Sequence, residues 1–481
     1  MREVFSSGKE PERRRSSAAE SYERRGRAEK DPQVSASPVV ARPLIEIEIT
    51  GAGSELQGVG RAPDGRAAFV PGALPGERVE VEIIREKPRF LEARLVRVLT
   101  SSPRRMRSAC PHASACGGCA ALHMDYEYSL ELKRTKVQDA LRRVGGFDAD
   151  VRPVIGMADP FRTRNKAEYA ISGGVIGLRE AGGRRVAEVG DCLIQREESV
   201  EAMRVARAWL AGAPAFEGYL VTRVTAAGEG MAILSVDRAV DAAPLAERLL
   251  AQVPGMKSAY FCRLNARAAH ALDGRCEWVR GERALTERLS GLTFRLSPQS
   301  FFQVNARGAE ALYRAALDAA ALTGRETVVD AYCGAGAITL YMARGALRTL
   351  GVELLSPAVE DARFNARANG LEDKAEFICD DAARWLAGQV ERGLRPDVLC
   401  VDPPRRGLDE RLIDAARRAL PERVVYVSCD PATLARDLKR LCEGGPYAIE
   451  YVQPVDMFPW TSHVETVIMM TKCGSEGINR R

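Results

Sequence analysis

Nowhere in the 481 residues does an apolar run reach the length of about eighteen needed to cross a bilayer. The N-terminal MREVFSSGKEPERRRSSAAE is charged where a secretory signal requires an apolar stretch. From both absences a soluble, cytoplasmic chain that engages no membrane is expected. No repeat of fixed period appears, which argues against a solenoid. A large surplus of one charge is missing too. Seventy Lys and Arg against 65 Asp and Glu leave +5, and residues 1–42, with ten basic and seven acidic side chains, hold +3 of it. Any nucleic-acid surface must then come from local clustering rather than from a basic fold as a whole.

What the chain does have is 46% hydrophobic and 28% charged residues, enough for about three domains with sizeable cores. Its 12 cysteines, without an export signal, are expected to be reduced, and each is then a ligand, a nucleophile or a small core residue. Residues 1–42 lack apolar periodicity and are expected to form a disordered basic tail. Over 43–102 the segments IEIEITG, GVGRAPDGRAAFVPG and ERVEVEIIREKPRFLEARLVRVL alternate apolar and polar residues between Gly and Pro, the pattern of a small OB-like β-barrel. Arg85, Lys87, Arg89, Arg94, Arg97, Arg104, Arg105 and Arg107 cluster at its end, opposed along the sequence only by Glu86 and Glu92. They read as an RNA-binding face or, equally, as a solvated charged one. Residues 103–296 combine a cysteine-rich loop, a helical stretch ending in a Gly pair and strand-like segments, a mixed α+β central domain. Over 297–473 short apolar strands alternate with helices, so an α/β, doubly wound, mainly parallel sheet is expected, with ligands beyond the strand C-termini. Residues 474–481 are expected to be a flexible C-terminus.

The chemistry sits at those strand ends. In TVVDAYCGAGAITLYMA a buried strand meets a Gly turn, where Gly334 and Gly336 allow close backbone approach and a helix start offers free N–H groups. A dinucleotide site is the rival, but Asp330 would face a pyrophosphate there and better suits a ligand with an amino-acid end. Glu353, 19 residues after Gly334, can take both ribose hydroxyls. Asp380 and Asp381 end the third strand, within reach of an adenine amino group. Three acidic strand ends in series suggest an S-adenosylmethionine methyltransferase; taken singly, each acid could be an N-cap instead. After VDPP comes Arg405, where an aromatic residue would be expected for amino-nitrogen targets. One strand on, YVSCDPATLARDL places Cys429 at a strand end, with Asp430 as N-cap and Pro431 in the first turn. The helix N-terminus favours a Cys429 thiolate and Asp430 opposes it. A thiolate beside a methyl donor answers a specific difficulty, because C5 of uracil is too weak a nucleophile until a thiolate has added at C6. The C5 proton must afterwards leave to a base. Glu465, just before the last strand, is the natural base and His463 its competitor. Cys429 as a buried small residue is the plain alternative.

Together DAYCGAG, FFQVN, DPPRRG, YVSCDPATLARD and FPWTSHVE resemble, in order, the motifs of the 5-methyluridine RNA methyltransferase family, and the resemblance runs from about residue 43 to 473. It implies Cys429 as nucleophile, Glu465 as proton acceptor, and Gln303, Tyr332, Glu353, Asp380 and Asp402 around cofactor and target base. Ala337 and Asp430 depart from the family pattern, which often has Asn or Thr at the first and Asn at the second. The barrel is similar to the TRAM domain fused to such enzymes.

Cys110, Cys116 and Cys119 form C-x5-C-x2-C, and Cys192 is a possible fourth thiolate. The spacing suits zinc or an iron–sulfur cluster. The resemblance implies a four-iron four-sulfur cluster that pins the loop shaping the RNA site. The basic barrel, a second run at Lys133, Arg134, Lys136, Arg142 and Arg143, and Phe301, Phe302, Phe458 and Trp460 as stacking candidates point to a base flipped from RNA; each aromatic could equally be core. Barrel and cluster together resemble the enzymes of 23S ribosomal RNA, with transfer RNA as the alternative substrate and no obligate protein partner expected. Other readings are methylation of an exocyclic amine with Cys429 structural, a non-catalytic RNA-binding protein, and an electron carrier, which leaves the C-terminal half without a role.

Overall fold

A computed structural model describes residues 44–473; the expected tail 1–42 and C-terminus 474–481 lie outside the described residues. Strands β1 (Leu44–Ala52), β2 (Gly58–Arg61), β3 (Ala67–Val70), β4 (Arg78–Glu86) and β5 (Phe90–Thr100) close into a barrel in the order β1-β2-β3-β5-β4. Alternation puts Ile47, Ile49, Val79, Val81, Leu91 and Ala93 inside. At Gly60 a Cβ would stand 2.2 Å from the Glu48 carbonyl oxygen, so the strands meet there only because no side chain intervenes.

Closure corrects the reading of the basic cluster. β4 lies antiparallel to β5 and supplies carboxylates that the sequence of β5 alone does not show. Arg94 is paired with Glu82, Arg97 with Glu80 at 3.0 Å, and Arg85 with Glu92 at 3.8 Å. Just beyond the barrel, Arg105 holds the buried Glu77 at 2.5 Å. The cluster is thus opposed by more than Glu86 and Glu92.

Helix α1 (Tyr126–Ala140) starts at the Asp125 N-cap, whose side chain accepts from Tyr128 N, and runs through a wider turn to left-handed Gly146 at φ 78°. The central region is a seven-stranded sheet in the order Gly274–Gly281, Met256–Leu264, Gly230–Val236, Gly218–Val224, Lys166–Ser172, Val175–Arg179, Val186–Ala187. Only Gly230–Val236 and Met256–Leu264 run parallel, joined across the helix Ala243–Gln252.

The C-terminal sheet has the order Ala375–Cys379, Arg348–Glu353, Thr327–Ala331, Val398–Val401, Arg423–Ser428, Glu465–Lys472, Tyr447–Val455. Five strands are parallel and the last two antiparallel to their neighbours. Helices cover both faces: Leu312, Ile338 and Val359 pack on one, Leu386, Leu412 and Leu434 on the other. The chain leaves Thr327–Ala331 in both directions, and such a reversal opens a crevice at the strand C-termini. Val221 and Ile233 of the central sheet share a core with Val328, Val425 and Val467, so the two sheets are packed together.

Candidate active site

Buried Thr327–Ala331 feeds a turn built on three positive φ angles, Tyr332 at 67°, Gly334 at 55° and Gly336 at 85°. At Gly336 a Cβ would meet the Phe377 ring at 2.8 Å, whereas at Gly334 the space within 4 Å is open. The backbone at Gly334 is therefore exposed to a ligand. Tyr332 contributes through its backbone, donating N–H to Val352 O at 2.9 Å, while its ring packs against the core around Leu412.

Asp330 is buried; its Oδ2 accepts from Thr339 Oγ1 at 2.6 Å and its Oδ1 has no partner. Burial pushes this carboxyl up to about 7. At the next strand end the Glu353 carboxylate accepts from Gly334 N at 3.1 Å and Leu355 N at 2.9 Å. Beyond it, Asp380 is paired with Arg384, which holds it below the usual carboxylate range, and Asp381 caps the following helix through Arg384 N at 2.9 Å. The N-cap alternative thus holds for Asp381. The acids 330, 353 and 380 stand at the carboxyl ends of three adjacent parallel strands. Gln303 is buried beside Asn305, and its carbonyl accepts from Asn165 at 3.2 Å.

On the other side of the crevice three neighbouring strands bring Asp402, Cys429 and Glu465 together. Glu465 is the first residue of its strand rather than the one before it, and it is buried. Burial, then the Asp402 charge, push its carboxyl up to about 8, with Arg405 pulling the other way. Asp402 is lifted to about 7 by burial and by Asp330. The half-buried Cys429 thiol rises to about 11 through burial, then Glu465 and Asp402, again against Arg405. The helix start does not win here, because Asp430 already takes Ala432 N at 3.0 Å and Thr433 N at 2.9 Å. His463 lies 3.5 Å from Arg405 Nη2, and burial with that guanidinium lowers its pKa.

Of the four aromatic candidates, Phe302 packs on Phe294 with ring centroids 5.5 Å apart, and Trp460 is buried between Tyr126 and Phe161, each at 5.2 Å. Both are core. Phe301 is 68% exposed beside Gln303, and Phe458 meets His463 edge-on at 5.8 Å.

The four cysteines converge. Cys110, Cys119 and Cys192 pack on Leu122, Ile194 and Trp460, and Gly118 N donates to Cys116 Sγ at 3.4 Å. All four are free thiols. Burial and the other three thiols push Cys119 up to about 12. Among the described residues no group of three or more His, Cys, Asp or Glu stands in an arrangement that would hold a metal ion.

The second basic run is corrected by the structure, because Lys133 faces the interior rather than RNA and its partner Asp456, like Tyr126, had no place in the sequence reading. Fully buried Lys133 donates to Asp456 Oδ1 at 2.5 Å and to Phe458 O at 3.0 Å, and Tyr126 Oη donates to Asp456 Oδ2 at 2.7 Å. The available signal was spacing, since Ser129, Lys133 and Val137 share the buried stripe of α1.

Comparison with known proteins fits this geometry. A family profile described as tRNA (Uracil-5-)-methyltransferase matches residues 272–473, and a TRAM domain profile matches 43–96. An uncharacterized RNA methyltransferase of Halalkalibacterium halodurans is 38% identical over 454 residues, 90% of this chain and 98% of that protein. Another, from Caldanaerobacter subterraneus, is 38% identical over 89% of this chain and 98% of its own. The crystal structure of Pyrococcus abyssi tRNA (uracil-54, C5)-methyltransferase in complex with S-adenosyl-L-homocysteine superposes with a TM-score of 0.70 at 27% identity, covering 89% of this chain and all of that one. Among the described residues no helix is long and apolar enough to cross a membrane.

Proposed function

Since the chain belongs to the RNA uracil-5 methyltransferase family and is an S-adenosylmethionine-dependent RNA (uracil-5-)-methyltransferase, we propose that Cys429 is its nucleophile, Glu465 its base and 23S ribosomal RNA its substrate. One observation carries the assignment of roles. Cys429, Glu465 and Asp402 are close enough at adjacent strand ends for each carboxylate to raise the thiol and for Asp402 to raise Glu465.

The cofactor supplies an electrophilic methyl group when bound. Gly334 presents its backbone to it, Glu353 takes the ribose hydroxyls, Asp380 serves the adenine side, and Asp330 offers its unpartnered Oδ1. Gln303 and Tyr332 close the site around it. Cys429 Sγ, once deprotonated, adds to C6 of the flipped uracil and loads electron density onto C5, which takes the methyl. Glu465 then accepts the C5 proton, and elimination of the Cys429 thiolate restores the ring's double bond. A carboxyl near 8 is a stronger base than an ordinary glutamate once ionised, which suits a carbon-bound proton. Arg405 favours the ionised form of both groups. Asp402 is left to hold the uracil edge.

Cys110, Cys116, Cys119 and Cys192 are the residues that would hold a four-iron four-sulfur cluster. The donor set is all thiol, and burial disfavours the thiolates of Cys116, Cys119 and Cys192 unless a metal draws off their protons. Bound there, the cluster would act structurally, holding the loop against Trp460. Iron and acid-labile sulfide, rather than zinc, are the expected contents of protein purified without oxygen.

Ribosomal RNA is favoured because the barrel and the four-cysteine set occur together; transfer RNA is the second reading, on the strength of the Pyrococcus abyssi structure. Nucleoside mass spectrometry of unmodified large-subunit RNA and transfer RNA, with wild type and Cys429→Ala, tests the nucleophile and the substrate. The expected result is 5-methyluridine in ribosomal RNA that vanishes with Cys429. Product that survives the substitution overturns the covalent mechanism, and a preference for transfer RNA overturns the substrate.

A further inference from the structure

The turn between β1 and β2, Gly53-Ser54-Glu55-Leu56-Gln57, does something a barrel turn need not do. It is closed by Gly53 N to Gln57 O at 2.8 Å and Leu56 N to Gly53 O at 2.9 Å. Leu56 stands at φ 58°, a conformation that disfavours a side chain. It persists because the side chain, 2% exposed, is plugged among Leu74, Ala121 and Met124 and against Tyr128 and Leu132 of α1. The plug sets the next residue back: the exposed Glu55 reaches Ser462, whose Oγ donates to Glu55 Oε2 at 2.6 Å.

Ser462 belongs to the loop 456–464, which ends where Glu465 begins its strand. The same loop is pinned elsewhere. Lys136 Nζ donates to Ser462 O at 2.8 Å, Ala120 N and Ala121 N to Trp460 O at 2.8 and 3.0 Å, and Asn305 Nδ2 to Met457 O at 3.2 Å. At its start lies the buried Lys133–Asp456 pair. Such a pair is a poor source of stability compared with apolar packing, but it fixes one loop conformation because no other leaves both charges partnered. Glu55 is the barrel's hold on this loop, three residues from Glu465.

We propose that the β1–β2 turn is a positioning element of the active site: through Glu55 and Ser462 the barrel sets Glu465 relative to Cys429 and so acts on the chemical step, apart from any hold on RNA. This rests on Glu465 as the base. The test uses the full chain with Glu55→Ala, Glu55→Gln and Ser462→Ala, measuring the single-turnover rate at which free methylated RNA is released at saturating RNA, its pH profile and, separately, RNA affinity. Glu55 is exposed, so its substitution spares the core.

Glu55→Ala and Ser462→Ala are expected to lower the saturating rate about tenfold, the equivalent of ~1.4 kcal/mol, with RNA affinity within about twofold of wild type. Glu55→Gln keeps an acceptor for Ser462 and is expected to restore most of the rate. A saturating rate and pH profile left unchanged by Glu55→Ala, with or without weaker RNA binding, overturns the proposal, as does Gln behaving like Ala. Glu465→Gln is run beside them. If it releases product at the wild-type rate, the base assignment has failed; if it stalls as the covalent adduct while Glu55→Ala releases product normally, only the barrel's role has.

Discussion

Burial and two carboxylates hold Cys429 as a thiol, and this has a measurable consequence in the free protein. With the group at about 11, the thiolate is present in about one molecule in a thousand at pH 8 and about one in a hundred at pH 9. Alkylation by iodoacetamide follows the thiolate. The rate at Cys429 should therefore climb about tenfold per pH unit from pH 7 to pH 10 without levelling off. Peptide mass spectrometry resolves it from the other cysteines, and the exposed Cys379 gives an internal standard for the reagent. Because burial also slows the reagent, the slope rather than the absolute rate is decisive. Two substitutions fix the cause. Glu465→Gln removes a carboxylate that raises the thiol, so it should speed alkylation above pH 8, where Glu465 is ionised, and do little below. Arg405→Gln removes the opposing cation and should slow it throughout. A plateau below pH 9 would mean that the thiolate is preformed, and the argument from burial would be wrong.

With RNA and S-adenosylmethionine, Glu465→Gln should methylate but fail to release, so a covalent RNA–protein adduct accumulates on a denaturing gel while turnover falls about 10²–10⁴-fold; free product at the normal rate would exclude Glu465. Glu353→Ala should weaken S-adenosylmethionine by about 1.5–3 kcal/mol, the worth of hydrogen bonds to a charged group, in calorimetry; unchanged affinity would leave Glu353 only closing the turn at Gly334. Gly336→Ala combines φ 85° with a Cβ 2.8 Å from Phe377, so it should cost at least ~2 kcal/mol in urea unfolding, and an unshifted midpoint contradicts that account. Arg94 and Arg97 are already paired with Glu82 and Glu80, so their removal should barely change the salt dependence of RNA binding; Lys87→Ala with Arg89→Ala, at the β4–β5 hairpin, should reduce its slope by about one to two.

What the sequence disclosed and what it hid divide along one line. A strand end, a Gly turn and an N-cap are each encoded within a few residues, so Gly334, Glu353, Cys429 and the Asp430 cap could be placed from local pattern alone. Charge neutralisation in the barrel depends on which strand lies beside β5, and the β4–β5 register that delivers Glu80 and Glu82 has no signature in β5 itself. The loop 456–464 is harder still: its contacts with Lys133 and Glu55 cross 323 and 407 residues of chain. Aromatics mislead for the same reason, since Phe302 and Trp460 look like stacking residues until their neighbours are known.

The electrostatics of the crevice give these distant contacts their importance. Asp330, Asp402, Glu465 and Cys429 are all pushed toward their neutral forms, chiefly by burial and then by neighbouring carboxylates, Glu353 in the case of Asp330. A site so arranged is poised in the wrong protonation state for addition at C6, and Arg405 is the cation that opposes the shift at both Glu465 and Cys429. A cation placed in the crevice relieves every member of the set at once, while an anion makes each harder to ionise. The sulfonium of the cofactor has the first sign and RNA phosphate the second. Catalysis then depends on admitting the sulfonium to the crevice while keeping phosphate away from it, which is a demand on geometry more than on the strength of any single contact. The loop 456–464, tied at once to the barrel, to α1 and to the cysteine loop, is where the fold meets that demand.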